Sequence, residues 1–317
     1  MSETEAIERP AQPDWLATTD AELIAYRNAE NRFRASDQAR VVTGLPDPDA
    51  EIQWQQLALP GRDLQVRVYR PSRGRGNRAD LPLVLHVHGG GFVGTAVQSD
   101  WVNSHLAAQL PAVVVSVEHR LLDSETPLRA AADDAWDVIE HVVRHAAQWG
   151  IDSSRTALFG ESCGALICAL AAIRARQTGL VLRAQVLVNP AVEVTETMFD
   201  YASISECSDS PTLAVPVLKL FQRFAVPPGT DPRTLSPLYA DLNGLAPALV
   251  VVPTDDLVAD HGRSYAEQLR TAGTPIRLAE YPGAPHAFLS MPGVVPQAEA
   301  ARAEISEFLR ARLGQPR

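Results

Sequence analysis

The chain has 317 residues, enough for one α/β domain that carries a lid. Hydrophobic residues make up 46% and charged residues 21%, which is ordinary for a globular protein. The formal net charge of −10 disfavours nucleic acid and anionic membranes as partners, because both are themselves negatively charged.

Cellular location is predicted from the cysteines and from the absence of targeting signals. Cys163, Cys168 and Cys207 show no metal-binding spacing and form no even disulfide set, which favours a reducing compartment. Residues 1–5 are acidic and lack the apolar core of a signal peptide. No apolar run approaches the roughly 20 residues that a membrane span needs. We therefore expect a cytoplasmic protein.

A helical pattern over residues 14–39 precedes the first predicted strand. Apolar side chains lie on or near one of its faces, namely Trp15, Leu16, Leu23, Ile24 and Phe33. Packing of this helix against the main domain is the preferred interpretation. A ligand tunnel lined by its aromatic residues is the alternative.

Eight strands are predicted, with helices between most of them. The first two alternate apolar and polar residues, as paired half-buried strands do, and the later runs are continuously apolar, as in a central parallel sheet. They cover residues 51–59, 64–70, 83–88, 112–117, 156–159, 184–189, 248–252 and 276–281. This order predicts an α/β fold with a mostly parallel eight-stranded sheet flanked by helices.

Residues 193–239 interrupt the alternation of strands and helices. They contain an apolar helical stretch at 212–224 and predict a lid over the sheet end. The domain prediction is an N-terminal helical cap segment (1–48), a first part of the catalytic core (49–192), inserted cap helices (193–239) and a second part of the core (240–317). The last strand and the closing helix at 296–313 form a candidate homodimer edge.

Gly160-Glu161-Ser162-Cys163-Gly164 is the first chemical motif. Gly-x-Ser-x-Gly alone is as typical of a tight turn with an inert serine as of a nucleophile. Here an apolar strand precedes it and a helix-forming stretch follows it. A serine on a sharp turn between strand and helix needs small neighbours and projects its hydroxyl from the sheet end.

A serine nucleophile needs a base, and the base needs a carboxylate to orient it. Two acidic residues, Asp255 and Asp256, follow the strand at 248–252, and His286 lies in a Pro/Gly loop past the last strand. The other histidines considered as the base are weaker candidates. His105, His141 and His145 fall in helical segments, and His261 is interpreted as a surface or capping residue.

The predicted strand at 83–88 ends in His88 and is followed by Gly89, Gly90 and Gly91. Glycines let a main chain approach an acyl oxygen closely, so the N–H groups of Gly90 and Gly91 are candidate oxyanion donors, joined by that of Cys163. His88 is predicted to brace the glycine loop through hydrogen bonds. A merely flexible turn is the alternative for the glycines alone.

These motifs together resemble the hormone-sensitive-lipase branch of the α/β-hydrolase esterases, over residue 50 to the C-terminus. The resemblance is carried by His88-Gly89-Gly90-Gly91-Phe92, Gly160-Glu161-Ser162-Cys163-Gly164, Asp256-x-x-x-Asp260-x-Gly262 and His286-Ala287-Phe288. It implies an acyl-ester hydrolase with a two-part helical cap, no cofactor and no metal. It also favours Asp256 over Asp255, through the spacing to Asp260 and Gly262.

Cys163 stands where this branch usually has a small alanine, and we expect it to crowd the acyl pocket. A nucleophilic Cys163 is disfavoured, because its side chain should point away from the apex of the turn.

The expected function is that of a serine carboxylesterase, with Ser162, His286 and Asp256 as the catalytic residues. It acts on short- to medium-chain acyl esters of small molecules through an acyl-enzyme. Two alternatives stay open. One is a lyase or dehydratase that stabilises an enolate on the same scaffold, and the other is a non-catalytic small-molecule receptor.

Overall fold

Eight strands form one sheet in the computed structural model, which describes residues 7–72 and 80–314. The strands are β1 (Ala50–Leu59), β2 (Arg62–Pro71), β3 (Leu81–Val87), β4 (Val113–Val117), β5 (Ile151–Glu161), β6 (Ala184–Val188), β7 (Ala248–Asp255) and β8 (Ile276–Pro285). Their order in the sheet is β1-β2-β4-β3-β5-β6-β7-β8. β1 pairs antiparallel with β2, β2 pairs antiparallel with β4, and the remaining neighbours are parallel. The predicted fold class is confirmed.

Helices lie between the strands and cover both faces of the sheet. They are α1 (Asp20–Arg34), α2 (Arg40–Thr43), α3 (Asp100–Gln109), α4 (Leu128–Arg144), α5 (Ala146–Trp149), α6 (Cys163–Thr178), α7 (Ala202–Glu206), α8 (Val215–Ala225), α9 (Ala259–Thr271) and α10 (Gln297–Leu313). Side chains of α4, α6 and α9 belong to the core cluster on one face, and those of α3 and α10 to the cluster on the other.

The burial of the central strands explains their composition. Every residue of β3 and β4 is buried, because helices cover both faces, so these strands are apolar without alternation. The edge strand β1 has mostly exposed or half-buried residues. β8 lies at the opposite edge of the sheet, where the predicted dimer contact would form. The dimer itself stays a prediction.

Several predicted boundaries differ from the structure, most clearly those of β5 and of the helix before it. β5 begins at Ile151 rather than at residue 156, because Ile151 already pairs with Leu81 across a register shift. The polar residues that follow Ile151 hide this extension in the sequence. The predicted helix at 133–149 is two helices, and the first begins at Leu128, whose buried side chain fixes the opening turn. Gly150, in the left-handed conformation, ends the second.

The predicted N-terminal helix is shorter than its pattern. α1 starts at Asp20 because Thr19 caps it, with the Thr19 and Glu22 side chains each accepting from the other residue's backbone N–H. Trp15 and Leu23 are buried. Leu16 and Ile24 are 56% and 43% exposed, so they do not belong to the packed face that the pattern predicts.

No helix in the described ranges 7–72 and 80–314 combines the length and the apolar character that a membrane crossing requires. The cytoplasmic location stays a prediction.

Candidate active site

Ser162 lies on the turn between β5 and α6. Its backbone has φ 54° and ψ −119°, a conformation that a residue with a side chain adopts only under constraint from its surroundings. The glycines around it allow this turn, since a Cβ on Gly160 would lie 2.3 Å from the carbonyl oxygen of Gly164. A Cβ on Gly164 would lie 2.1 Å from that of Val87. The strand–turn–helix context predicted for the serine is therefore present.

The structure brings Ser162, His286 and Asp256 together in one hydrogen-bonded chain. The Ser162 hydroxyl lies 2.8 Å from Nε2 of His286, and Nδ1 of that ring lies 2.8 Å from Oδ2 of Asp256. The buried Asp256 carboxylate can only accept, so Nδ1 carries the proton and Nε2 is free to accept from serine. This is the geometry of a hydroxyl nucleophile, a base and a carboxylate that orients the base.

The two candidate acids are separated by their positions. Asp256 lies just past the end of β7 with its side chain buried, and it also accepts a hydrogen bond from the N–H of Val258. Asp255 is the last residue of β7 and is half-buried; its carbonyl oxygen accepts from the Ser210 hydroxyl. The carboxylate that contacts His286 belongs to Asp256.

The glycine loop after β3 presents free amide groups near Ser162. A Cβ on Gly89 would lie 3.4 Å from the Ser162 Cβ, so this backbone touches the serine turn. Within the described chain, the backbone N–H groups of Gly90, Gly91 and Cys163 donate to no protein acceptor. Gly90 has φ 89°, which a residue with a Cβ rarely adopts. The three predicted donors thus lie unpaired around the serine, and their role stays a prediction.

His88 is buried beneath the glycine loop. Its Nδ1 lies 3.0 Å from the carbonyl oxygen of Gly89, and its ring stacks on His119 at 4.3 Å. Burial, with a smaller contribution from His119, holds the pKa of His88 well below its usual value. A neutral ring in this position suits the bracing role predicted for it and does not suit proton transfer.

Glu161 precedes the serine and is nearly fully buried. Its carboxylate accepts hydrogen bonds from the hydroxyls of Ser99 and Ser290, each at 2.9 Å. Ser290 follows His286 by four residues, so Glu161 connects the serine turn to the segment that carries the histidine. Glu161, the second residue of the serine motif, therefore supports the relative placement of the serine and the histidine.

Asn189 is a site residue that the sequence analysis missed. It follows β6, has φ 39°, and its Nδ2 lies 3.4 Å from Nε2 of His286. Its buried Oδ1 finds no hydrogen-bond partner within the described residues. The available signal was its position at the carboxyl end of a parallel strand next to the strand that carries Ser162.

A cavity of about 180 Å³ opens over Ser162 and His286. One side is formed by residues 89–92, Ser162, Cys163 and His286, and the other by covering segments from the N-terminus and from the insertion. The covering side chains are mostly apolar and include Trp15, Tyr26, Leu213, Val217, Leu218 and Phe221. Trp15 also packs edge-on against Tyr26 at 5.2 Å. The N-terminal aromatics therefore both pack on the domain and line a ligand cavity.

Two further predictions are decided by the structure. His261 is fully buried in α9 with Nε2 3.0 Å from the carbonyl oxygen of Met198, so the prediction of a surface position is wrong. Burial raises the pKa of the Cys163 thiol to about 12, which removes the thiolate that a cysteine nucleophile requires. Throughout the described residues, no group of three His, Cys, Asp or Glu side chains is arranged to hold a metal ion.

Known proteins share both the sequence and the fold. A family model described as the α/β-hydrolase fold matches residues 84–290. The carboxylesterase NlhH of Mycobacterium tuberculosis is 36% identical over 265 residues, which is 80% of each chain. An ethyl acetate hydrolase of Pseudomonas putida is 30% identical over 299 residues, 92% of each chain.

Solved structures agree with these relatives. The carboxylesterase EstE1 from a metagenomic library superposes with a TM-score of 0.81 at 31% identity, covering 92% of this chain and 99% of that one. An ester hydrolase from the Lake Arreo metagenome, in complex with a bipyridine phosphonate derivative, gives 0.85 at 28% identity over 96% and 94% of the two chains.

The chain belongs to the α/β-hydrolase family, in its hormone-sensitive-lipase-like class. The predicted enzyme class, a carboxylic ester hydrolase, is confirmed at this level.

Proposed function

We propose that this chain hydrolyses carboxylic esters of small molecules through an acyl-enzyme formed on Ser162. The observation that carries the proposal is the continuous hydrogen-bonded chain from Ser162 through His286 to the buried Asp256, at 2.8 Å for each step. The cavity opens directly over this chain, so an ester carbonyl bound there meets the serine hydroxyl.

In the acylation step the Ser162 oxygen attacks the ester carbonyl carbon while His286 Nε2 takes the hydroxyl proton. Asp256 fixes the tautomer of the ring and stabilises the imidazolium that forms. The N–H groups of Gly90, Gly91 and Cys163 donate to the oxyanion. His286 then returns the proton to the alkoxide as the C–O bond breaks, and the alcohol leaves.

In the deacylation step a water molecule takes the place of the alcohol. His286 removes one of its protons as the water oxygen attacks the acyl carbon. Collapse of the second tetrahedral intermediate breaks the bond to Ser162, the proton returns to the serine oxygen, and the carboxylic acid leaves. The same base and the same oxyanion donors serve both steps.

Short to medium acyl chains are the proposed substrates. The cavity of about 180 Å³ is covered by mostly apolar side chains of two covering segments, and its small volume limits the length of an acyl chain. We assign these segments, residues 1–48 and 193–239, to a two-part cap over a core formed by 49–192 and 240–317. The ethyl acetate hydrolase among the relatives acts, by its name, on a short-chain ester.

The test combines turnover with covalent labelling. Purified protein is assayed with p-nitrophenyl esters of increasing acyl length, beside Ser162→Ala. It is also treated with an alkyl p-nitrophenyl phosphonate, which forms a P–O bond to a nucleophilic serine as p-nitrophenolate leaves, before mass spectrometry. We expect hydrolysis that falls with acyl length, one phosphonate on Ser162, and a loss of about 10⁶-fold in kcat for Ser162→Ala. Absence of both hydrolysis and labelling would overturn the proposal in favour of a receptor. Turnover of another substrate class without an acyl-enzyme would favour a lyase.

A further inference from the structure

One face of α1 contacts the glycine loop that supplies the candidate oxyanion donors. Arg27, Asn31 and Arg34 are spaced as i, i+4 and i+7, so they project from the same side of the helix. Arg27 and Asn31 hydrogen-bond to backbone groups of residues 89–94, and Arg34 reaches this loop through the side chain of Gln98. We call these three residues the clamp face.

Asn31 makes the most specific of these contacts. Its Nδ2 donates to the carbonyl oxygen of Gly94 at 2.8 Å, and its Oδ1 accepts from the Gly94 N–H at 3.0 Å. One side-chain amide therefore pairs with both polar groups of a single backbone residue. Gly94 in turn lies against the loop, because a Cβ on it would be 2.5 Å from the carbonyl oxygen of Gly89.

Arg27 restrains the middle of the loop by donating hydrogen bonds to two carbonyl oxygens. Its Nε donates to Phe92 at 2.8 Å and its guanidinium also donates to Leu122 at 2.5 Å. The Leu122 N–H donates to the carbonyl oxygen of Gly91 at 2.8 Å. Arg27 thus binds the residue after Gly91 and also the residue whose N–H donates to Gly91, so it restrains Gly91 from two sides.

Arg34 reaches the start of the loop through an intermediate side chain. It donates to Oε1 of Gln98 at 2.7 Å, and Nε2 of Gln98 lies 3.3 Å from the carbonyl oxygen of Gly89. The fully buried Glu30 accepts from Arg34 at 3.0 Å and so fixes the arginine from its own helix.

We propose that α1 positions the oxyanion donors, with Asn31 and Arg27 as positioning residues; this rests on the proposed function. The clamp face hydrogen-bonds to both backbone polar groups of Gly94 and to the carbonyl oxygens of Phe92 and Leu122. It leaves the N–H groups of Gly90 and Gly91 free. An oxyanion donor acts only when its direction is fixed before the reaction. The N-terminal segment is therefore part of the catalytic machinery as well as a cover, and α1 cannot lift without releasing the loop.

The test is Asn31→Ala, with Asn28→Ala as the matched control, because Asn28 is an exposed asparagine on the same helix. We expect Asn31→Ala to lower kcat by about 10- to 100-fold while KM changes by less than about threefold. Donors that point away from the oxyanion stabilise the transition state less but leave binding of the ground-state substrate unchanged. Asn28→Ala should leave both constants unchanged.

A second readout separates positioning from stability. An alkyl boronic acid forms a tetrahedral adduct with a nucleophilic serine and serves as a transition-state analogue. Its affinity should fall in parallel with kcat/KM in Asn31→Ala and, to a smaller extent, in Arg27→Met, which keeps the apolar stem and loses the donors. Arg27→Met also tests the proposal should Asn31→Ala fail to fold.

Variants that lose thermal stability but keep wild-type kcat and boronate affinity at 25 °C would overturn this inference and leave the proposed function intact. A wild-type protein without ester hydrolysis or boronate binding would instead overturn the proposed function.

Discussion

The strand ends and the covering segments hold their side chains by different means. Ser162, Asp256 and His286 follow β5, β7 and β8, so their spacing is set by the backbone register of one parallel sheet. The described residues of the covering segments pair with no strand of the sheet. Individual side chains fasten these segments to the core, such as Asn31 on the glycine loop and Ser203 of the insertion, whose hydroxyl donates to the carbonyl oxygen of Leu257.

Because of this difference, we expect the two regions to have different functions. The sheet places Ser162 and Asp256 each 2.8 Å from one of the two ring nitrogens of His286. The covering segments line the outer wall of the cavity, and we propose that α1 in addition positions the glycine loop. Changes at strand ends should therefore affect kcat most strongly, whereas changes in the insertion should affect stability and substrate choice.

The largest effect in this comparison is expected for Asp256→Asn. An asparagine leaves the imidazole in the wrong tautomer and without a counter-charge, so we expect kcat to fall about 10⁴-fold. Asp255→Asn is the matched control and should change kcat by less than about twofold, because its side chain does not contact His286. Steady-state kinetics of both variants checks this. An equal loss of kcat in the two variants would contradict the assignment of Asp256 as the carboxylate that orients His286.

A smaller effect is expected where the insertion closes on itself. The buried carboxylate of Glu193 accepts hydrogen bonds from the hydroxyls of Thr195, Thr197, Tyr201 and Tyr239, which join the two ends of the insertion. Glu193→Gln replaces one acceptor oxygen by a donor, and we expect it to lower the free energy of unfolding by about 2 kcal/mol. Chemical denaturation measures this, and Glu196→Gln, on a more exposed carboxylate, is the control.

The same carboxylate predicts a pH dependence of stability. Burial alone would raise the pKa of Glu193, but the hydroxyl donors outweigh it and hold the pKa below the usual 4.5. A carboxylate with a lowered pKa in the folded state stabilises the protein above pH 4.5, and this contribution is lost as the pH falls through the folded-state value. The difference in stability between wild type and Glu193→Gln should therefore narrow in acid. A constant difference down to pH 3 would contradict this account.

The smallest effect is expected at Cys163, where the two regions meet. A Cβ on Gly91 would lie 2.7 Å from Phe221 of the insertion and 3.4 Å from the Cys163 sulfur, so the cavity wall is narrow here. Cys163→Ala should retain activity and raise kcat/KM for the longer p-nitrophenyl esters by about threefold, the effect of one removed heavy atom in an apolar pocket.

Cys168 is the matched control for Cys163. It is buried in the same helix but does not line the cavity, so Cys168→Ala should leave the acyl-length profile unchanged. Loss of all activity in Cys163→Ala would instead support the alternative hypothesis that Cys163 is the nucleophile.

Those residues of the site that directly follow a strand could be predicted from the sequence. The sequence predicts Ser162 and His286 because each follows an apolar strand in a loop with glycines, and that pattern is local. Asn189 also follows such a strand, yet nothing in its neighbours indicates the contact with His286. His261 shows the converse, since a histidine near a helix start gives no sign that Tyr201 and Met198 of the insertion bury it.

By itself, the sequence determined the positions of the strands along the chain, the serine turn and the residues able to form a nucleophile, a base and an oxyanion site. These follow from the period of apolar residues and from glycines whose backbone conformation other residues rarely adopt. The motif spacing already favours Asp256 over Asp255, but only the tertiary structure places the Asp256 carboxylate 2.8 Å from His286 and pairs Asn31 with Gly94. Both contacts join residues distant in the chain, so they depend on how the segments pack and not on any local pattern.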